Sequence, residues 1–193
     1  MESLYSALTL LAENRHSQRK FSESDIVSEE ELQSVLSIAS RAPFASGRSS
    51  WKIAVIKDRQ QIRSLAAQVR ESAAALASEM EEDAGNFFRR YSASFTFFEN
   101  APLLLVPYCR ETATMRSMLR DNASEEILLW EHDNLTKSLS CVSMMILLAA
   151  ESLSLGACYM TGPLLAGKQL NGILGLRDNM ILGAIIPVGH KSL

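Results

Sequence analysis

Thr136–Pro163 reads TKSLSCVSMMILLAAESLSLGACYMTGP, and its interpretation decides the fold. Leu139, Val142, Met145, Ile146, Ala149, Ala150 and Leu153 recur at three- and four-residue steps, the period of one helical face. Met144, Leu147 and Leu148 fill much of the other side. A helix apolar nearly all round is buried on several faces, in a core or between subunits. Its charge-free run falls short of the roughly 20 residues a bilayer needs, and Glu151 interrupts it, so a membrane span is not expected. Gly156 stands where a left-handed cap would end the helix.

Working outward, 193 residues suit one domain, 1–193, with a full core. Hydrophobic content of 47% with 21% charged residues is ordinary for a soluble globular chain. A net charge of −3 gives no basic excess to displace counterions, which argues against nucleic acid as a partner. Cys109, Cys141 and Cys158 are odd in number, widely spaced and in apolar company. Reduced thiols in a cytoplasmic protein are therefore expected rather than a disulfide framework. His16, His132 and His190 are scattered, and no metal-ligand spacing occurs. The first residues, MESLYSALTLLAENR, read as an amphipathic helix ending near Asn14 rather than as a signal peptide.

A short basic loop, RHSQRKFSES, follows. Ser28 and Glu31 then form a capping-box pattern that opens a helix stopping before Pro43. WKIAVIK reads as a strand, and Asp58 caps a long helix extending to about Asp83, with Gly85-Asn86 breaking the run. NFFRRYSASFTFFEN reads as helical, and LLLVPYC as a central strand covered on both faces. Residues 110–130 lack a clean period and read as a mobile, partly helical excursion anchored by Met115, Met118 and Trp130. LAGKQLNGILGL is a short helix and MILGAIIPVG a final strand. The class is α+β with a small sheet.

Three segments carry polar groups suited to a ligand. Arg15, Ser17 and Arg19 can form a fork of donors around one phosphate. Residues 42–50 supply hydroxyls, a cation and a glycine, and 156–167 joins an apolar piece to Thr161-Gly162-Pro163. Each, taken alone, reads equally as an ordinary loop. No GxGxxG, P-loop or GxSxG is present, which disfavours dinucleotide, triphosphatase and α/β-hydrolase sites.

Together, RHSQRKF, RAPFASGRSSW, FFENAPLLLV, AAESLSLGACYMTGP and LGLRDNMILGAIIPVGH resemble the nitroreductase family of FMN-dependent flavoproteins, from about residue 12 to residue 190. The resemblance implies a small, mostly antiparallel sheet flanked by helices. It implies a homodimer with the long central helix at the interface, and FMN between subunits. NADH or NADPH would reduce the flavin before a small electrophile (a nitroaromatic, quinone or enone) enters the same cleft. It places Arg15, His16, Ser17 and Arg19 at the FMN phosphate and ribitol, and Pro43, Phe44, Ala45 and Gly47 along the ring edge. Thr161, Gly162 and Pro163 lie over the flavin face, and Lys191 sits near the phosphate. Met115, Met118 and Trp130 belong to the region that forms a lid over the acceptor. Arg48, the cation of the 42–50 loop, is the expected partner of negative charge at N1/O2.

The chain departs from the family pattern where Phe44 replaces a serine, Gly47 an asparagine, Ser49 a glutamine and Ser50 a proline. Leu164 and Leu165 follow Pro163, where an acidic residue is common. Neither paired catalytic carboxylates nor a nucleophile triad is evident, consistent with chemistry carried by a cofactor. No catalytic residue and no metal ligand is therefore expected. Two other readings share the segments: different flavin chemistry such as flavin fragmentation or reductive dehalogenation, and a flavin-binding sensor or carrier without turnover.

Overall fold

In the computed structural model, which describes all residues except 1–2, 23–24, 46–50, 112–113, 121 and 193, one strand organises the rest. This strand, β2 (Leu103–Arg110), pairs antiparallel with β1 (Trp51–Ile56), Trp51 opposite Cys109 and Ile56 opposite Leu104. Its other edge carries β5 (Ile186–His190) along the first half and β4 (Met180–Leu182) along the second. A short strand, β3 (Leu155–Ala157), completes the order β1-β2-β5-β3, and every strand pair is antiparallel. Side chains alternate across the pleat, so Leu103 and Leu105 enter one core while Leu104 and Val106 enter another. That explains the unbroken apolar run, because a strand covered on both faces has no polar side.

The first core is closed by α6 (Glu125–Ser152), whose Leu139, Val142, Ile146, Ala149 and Ala150 are buried, and by α2 (Glu29–Ala39). The helix starts at Glu125, well before the expected Thr136. Ser124 caps it by accepting from the Ile127 N–H, and Glu125 and Glu126 fill the positive first turn. By length and composition α6 could cross a membrane, its best window reaching mean hydropathy 1.2, but 44% of that window is buried inside the fold. Its role here is that of a core helix. The left-handed residue at its end is Ser154, with φ 60°, and not Gly156. Gly156 lies in β3, where a Cβ would press on Gln18, whose own Cβ is 2.8 Å from that position.

The capping box on α2 is present in full. Ser28 Oγ accepts from the Glu31 N–H, and Glu31 accepts from the Ser28 N–H at 2.8 Å. The second core lies under α3 (Arg59–Ser78), which buries Ile62, Leu65, Ala66, Val69, Ala73 and Ala77. This helix stops at Ser78, earlier than expected, and Gly85 sits inside the next helix, α4 (Glu82–Ser92). A Cβ on Gly85 would lie 2.7 Å from the Ala77 carbonyl oxygen, so the glycine permits the close crossing of α3 and α4 instead of breaking a helix.

A 3₁₀ stretch, Ala93–Asn100, leads into β2. Within 110–130 a short helix, α5 (Thr114–Met118), precedes α6. Another 3₁₀ turn, Gly162–Ala166, precedes α7 (Lys168–Ile173). The expected final strand is two strands, because Gly183 lies against Leu139 and donates its N–H to the Pro107 carbonyl at 2.8 Å. The N-terminal helix α1 (Leu4–Asn14) packs beside α6 yet buries none of its own residues.

Candidate functional site

The basic loop is held to β3 by backbone. Ser17 bridges Ala157, and the Gln18 N–H donates to the Ala157 carbonyl at 3.0 Å. Arg15 follows α1 as its cap residue, donating its N–H to Leu11. The His16 ring is tied locally, 2.9 Å from the Asn14 carbonyl and 3.1 Å from Gln18 Oε1. The Arg19 guanidinium lies over the Phe97 ring, 5.8 Å from its centroid. Beneath them sits Cys158. Burial pushes its thiol up from the usual range, while a Ser17 hydrogen bond and the charges of Arg19 and Arg15 pull it back. Those influences bring Arg15, Ser17, Arg19 and Cys158 into one neighbourhood. Among the described residues neither arginine has a carboxylate partner.

Gly162, between Thr161 and Pro163, packs against the 3₁₀ stretch Ala93–Asn100. A Cβ on Gly162 would lie 2.6 Å from the Phe95 ring, so the backbone presses directly on that aromatic. Phe95 is itself fixed edge-on to Tyr91, with centroids 5.0 Å apart. Phe95 and Phe97 both belong to the 3₁₀ stretch 93–100, so this element links the Arg19 loop to the Gly162 turn. Pro163 is buried at the second position of the 3₁₀ turn Gly162–Ala166, within the first turn, where a missing N–H costs nothing.

Pro43, Phe44 and Ala45 lie elsewhere. Phe44 packs against Trp51 (centroids 6.5 Å apart), Cys109, Leu135 and Leu139, on the α6 face of the sheet. The Ala45 N–H donates to Ser138 Oγ at 3.1 Å, and Gly47 and Arg48 lie outside the described residues. Gly162 and Phe95 are on the α3 face. Within one chain the sheet therefore separates Phe44 from Gly162.

Lys191 is not a free cation, since its Nζ lies 2.8 and 3.0 Å from the oxygens of Glu151, a side chain only 10% exposed. Met118 is 72% exposed and borders a cavity of about 840 Å³ that is also lined by Arg110, Glu111, Leu128, Glu131 and His132. Trp130, 58% exposed on α6, does not line that cavity. Glu131 fixes the start of α5 by accepting from the Thr114 and Met115 N–H groups at 3.1 and 3.3 Å. Sequence reasoning missed Glu131 and Glu151, and it left Cys158 as structural. Nothing local marks the two glutamates, because their partners lie 16 to 40 positions away.

This arrangement, an antiparallel five-stranded sheet between helical layers with a basic loop laid on its β3 edge, defines a mixed α+β class. Residues 12–190 match the model of the nitroreductase family, and the chain belongs to that family. A BluB-like flavoprotein from Clostridium difficile 630 superposes with TM-score 0.82 at 24% identity, covering 100% of this chain and 91% of that one. A nitroreductase with bound FMN from Desulfitobacterium hafniense DCB-2 superposes with TM-score 0.73 at 19% identity, over 100% and 92%. An iodotyrosine deiodinase bound to FMN and 3-iodo-L-tyrosine gives 0.69 at 20% identity, over 96% and 90%. No curated sequence matches the chain.

Proposed function

We propose that the chain is an FMN-dependent oxidoreductase, reduced by NADH or NADPH and passing the electrons to a small electrophilic acceptor. The observation that carries this reading is the Arg15–Arg19 loop, tied through Ser17 and Gln18 to Ala157 beside Cys158, two cations and a hydroxyl with no carboxylate partner among the described residues. A phosphate dianion suits that donor set, since guanidinium groups bind oxyanions in pairs of hydrogen bonds. When bound, FMN would supply the hydride-accepting chemistry. The chain's part is to hold the phosphate through Arg15, Ser17 and Arg19, orient the ring at Thr161–Pro163, and exclude water.

A second copy fits the same reading. Leu4 and Leu8 of α1 and Leu129, Trp130 and Met144 of α6 are exposed apolar side chains on adjoining helices. With the flavin between subunits, as the family resemblance implies, Phe44 and Ala45 of one copy would have to meet the Arg19–Gly162 side of the other. Free thiols at Cys109, Cys141 and Cys158 suit a reducing cytoplasmic compartment.

The absorption spectrum of the purified protein tests the proposal. A yellow protein that bleaches anaerobically with NADH or NADPH supports the oxidoreductase. A colourless protein that takes up no FMN removes it. A yellow protein indifferent to both nicotinamides points to the carrier. Oxidising the reduced protein with a nitroaromatic, a quinone and an iodinated phenol in turn separates acceptor reduction from dehalogenation.

A further inference from the structure

A cleft at the opposite end of the sheet is independent of the flavin reading. Lys52 pairs with Tyr108 across β1 and β2, and Arg110 pairs with Met180 across β2 and β4. Positions 108 and 110 are two apart on one strand, so Lys52, Tyr108 and Arg110 project from one face, the face that carries α3 and α7. Arg177 joins them from the turn before β4, in which Gly175 takes φ 67°. Together they line a cavity of about 320 Å³.

The lining contains three cations, one phenol and no carboxylate, in a chain whose acids outnumber its bases 22 to 19. Asp178 and Glu111 are sequence neighbours of Arg177 and Arg110 but do not line the cleft. Among the described residues none of the three cations has an ion pair. Solvated surface cations normally sit among opposite charges, where local repulsion is offset. Here three exposed like charges border one concavity, an arrangement that an anion stabilises.

We propose that Lys52, Arg110 and Arg177 form a binding site for a compact, multiply charged phosphate group, a diphosphate or a phosphate monoester. A monocarboxylate would neutralise one of the three charges, whereas a diphosphate matches all of them. Two guanidinium forks and an ammonium are the donors such an oxyanion takes, and the Tyr108 hydroxyl adds another. The volume fits a phosphate-sized group and not a macromolecule. Arg110 also lines the 840 Å³ cavity beside α5, so an organic substituent on the phosphate has adjoining space to occupy.

Calorimetric titration with sodium diphosphate, orthophosphate and acetate at constant ionic strength tests this site. Affinity should fall in that order. The Lys52→Gln, Arg177→Gln double variant should weaken diphosphate at least tenfold, and Arg177→Gln alone by about threefold, with unchanged melting temperature in the absence of ligand. Lys137→Gln, which removes an exposed cation of α6, should change nothing. The titration is made on protein pre-saturated with FMN, which on the proposed reading fills the Arg15–Arg19 loop, and the diphosphate signal should be retained, which separates this cleft from those cations. No heat at millimolar diphosphate overturns the proposal, as does equal affinity in the double variant or loss of the signal when FMN is saturating.

Discussion

The two halves of α6 are built on different principles. From Leu139 to Ala150 the helix inserts between the sheet and α2, with Leu139, Val142, Ile146 and Ala150 fully buried. From Glu125 to Asp133 no residue is buried, and Leu129 and Trp130 stand 61% and 58% exposed. The first region is stabilised by tertiary packing and would hold as a helix whatever its propensity. The second is held by its cap, its first-turn acids, its tie to α5 and the Lys137–Asp133 ion pair. One continuous helix thus joins a region complete within the chain to a region whose apolar surface is unfinished.

The largest test of that contrast is Ile146→Ala. Emptying a fully buried position should cost about 2–5 kcal/mol in urea unfolding. A loss below 1 kcal/mol would mean that the inner half is loosely packed. The outer half should respond through association rather than folding. Leu129→Ser with Trp130→Ser should weaken self-association about tenfold in sedimentation, roughly 1.4 kcal/mol, with little change in monomer stability. Cysteine labelling sharpens the same point. Cys109, buried and with its thiol pushed up to about 11, and buried Cys158 should resist iodoacetamide at neutral pH. Exposed Cys141 should react in dilute protein and become protected as copies assemble over α6.

Ser124→Ala removes the cap of the outer half and should cost about 1 kcal/mol, read as fraying of 125–130 by hydrogen exchange. The smallest effect concerns α2, which packs on the inner half. Hydrogen bonds from the Ser28 N–H and hydroxyl hold the Glu31 carboxyl below its usual range. Its contribution is complete above the unfolded-state value near ~4.3 and disappears as pH falls through the lower folded value. Glu31→Gln should therefore lower the neutral plateau by about 0.5 kcal/mol and leave the acid end unmoved, which flattens the acid limb of the stability profile.

Much of the fold was readable because local pattern and tertiary demand agree. Leu103–Val106 has no polar alternation and lies buried on both faces, and Ser28 with Glu31 forms the capping box that its spacing announces. The failures all involve a distant partner. Gly156 looks like a helix stop, but its missing Cβ serves the crossing of Gln18 over β3, which leaves Ser154 to take the left-handed turn. Gly85 likewise answers to Ala77 rather than to its own segment. The early start of α6 was hidden because 125–133 is charged and apolar without the clean period that packing imposes further along. Arg15, Ser17 and Arg19 were legible through family resemblance and residue chemistry. Cys158 beneath them, and the opposite sheet faces taken by Phe44 and Gly162, depend on strand register, which the sequence does not print.

The proposed homodimer, with its flavin between copies, has a consequence for mixtures of defective chains. Suppose one batch carries Arg19→Gln and another a blocking Ala45→Trp, each inactive by itself. Subunit exchange at equal amounts would produce mixed pairs in which one pocket inherits both lesions and the other neither. Random two-fold pairing should then restore about one quarter of the normal flavin occupancy. A protein whose pocket is confined to a single chain would recover none.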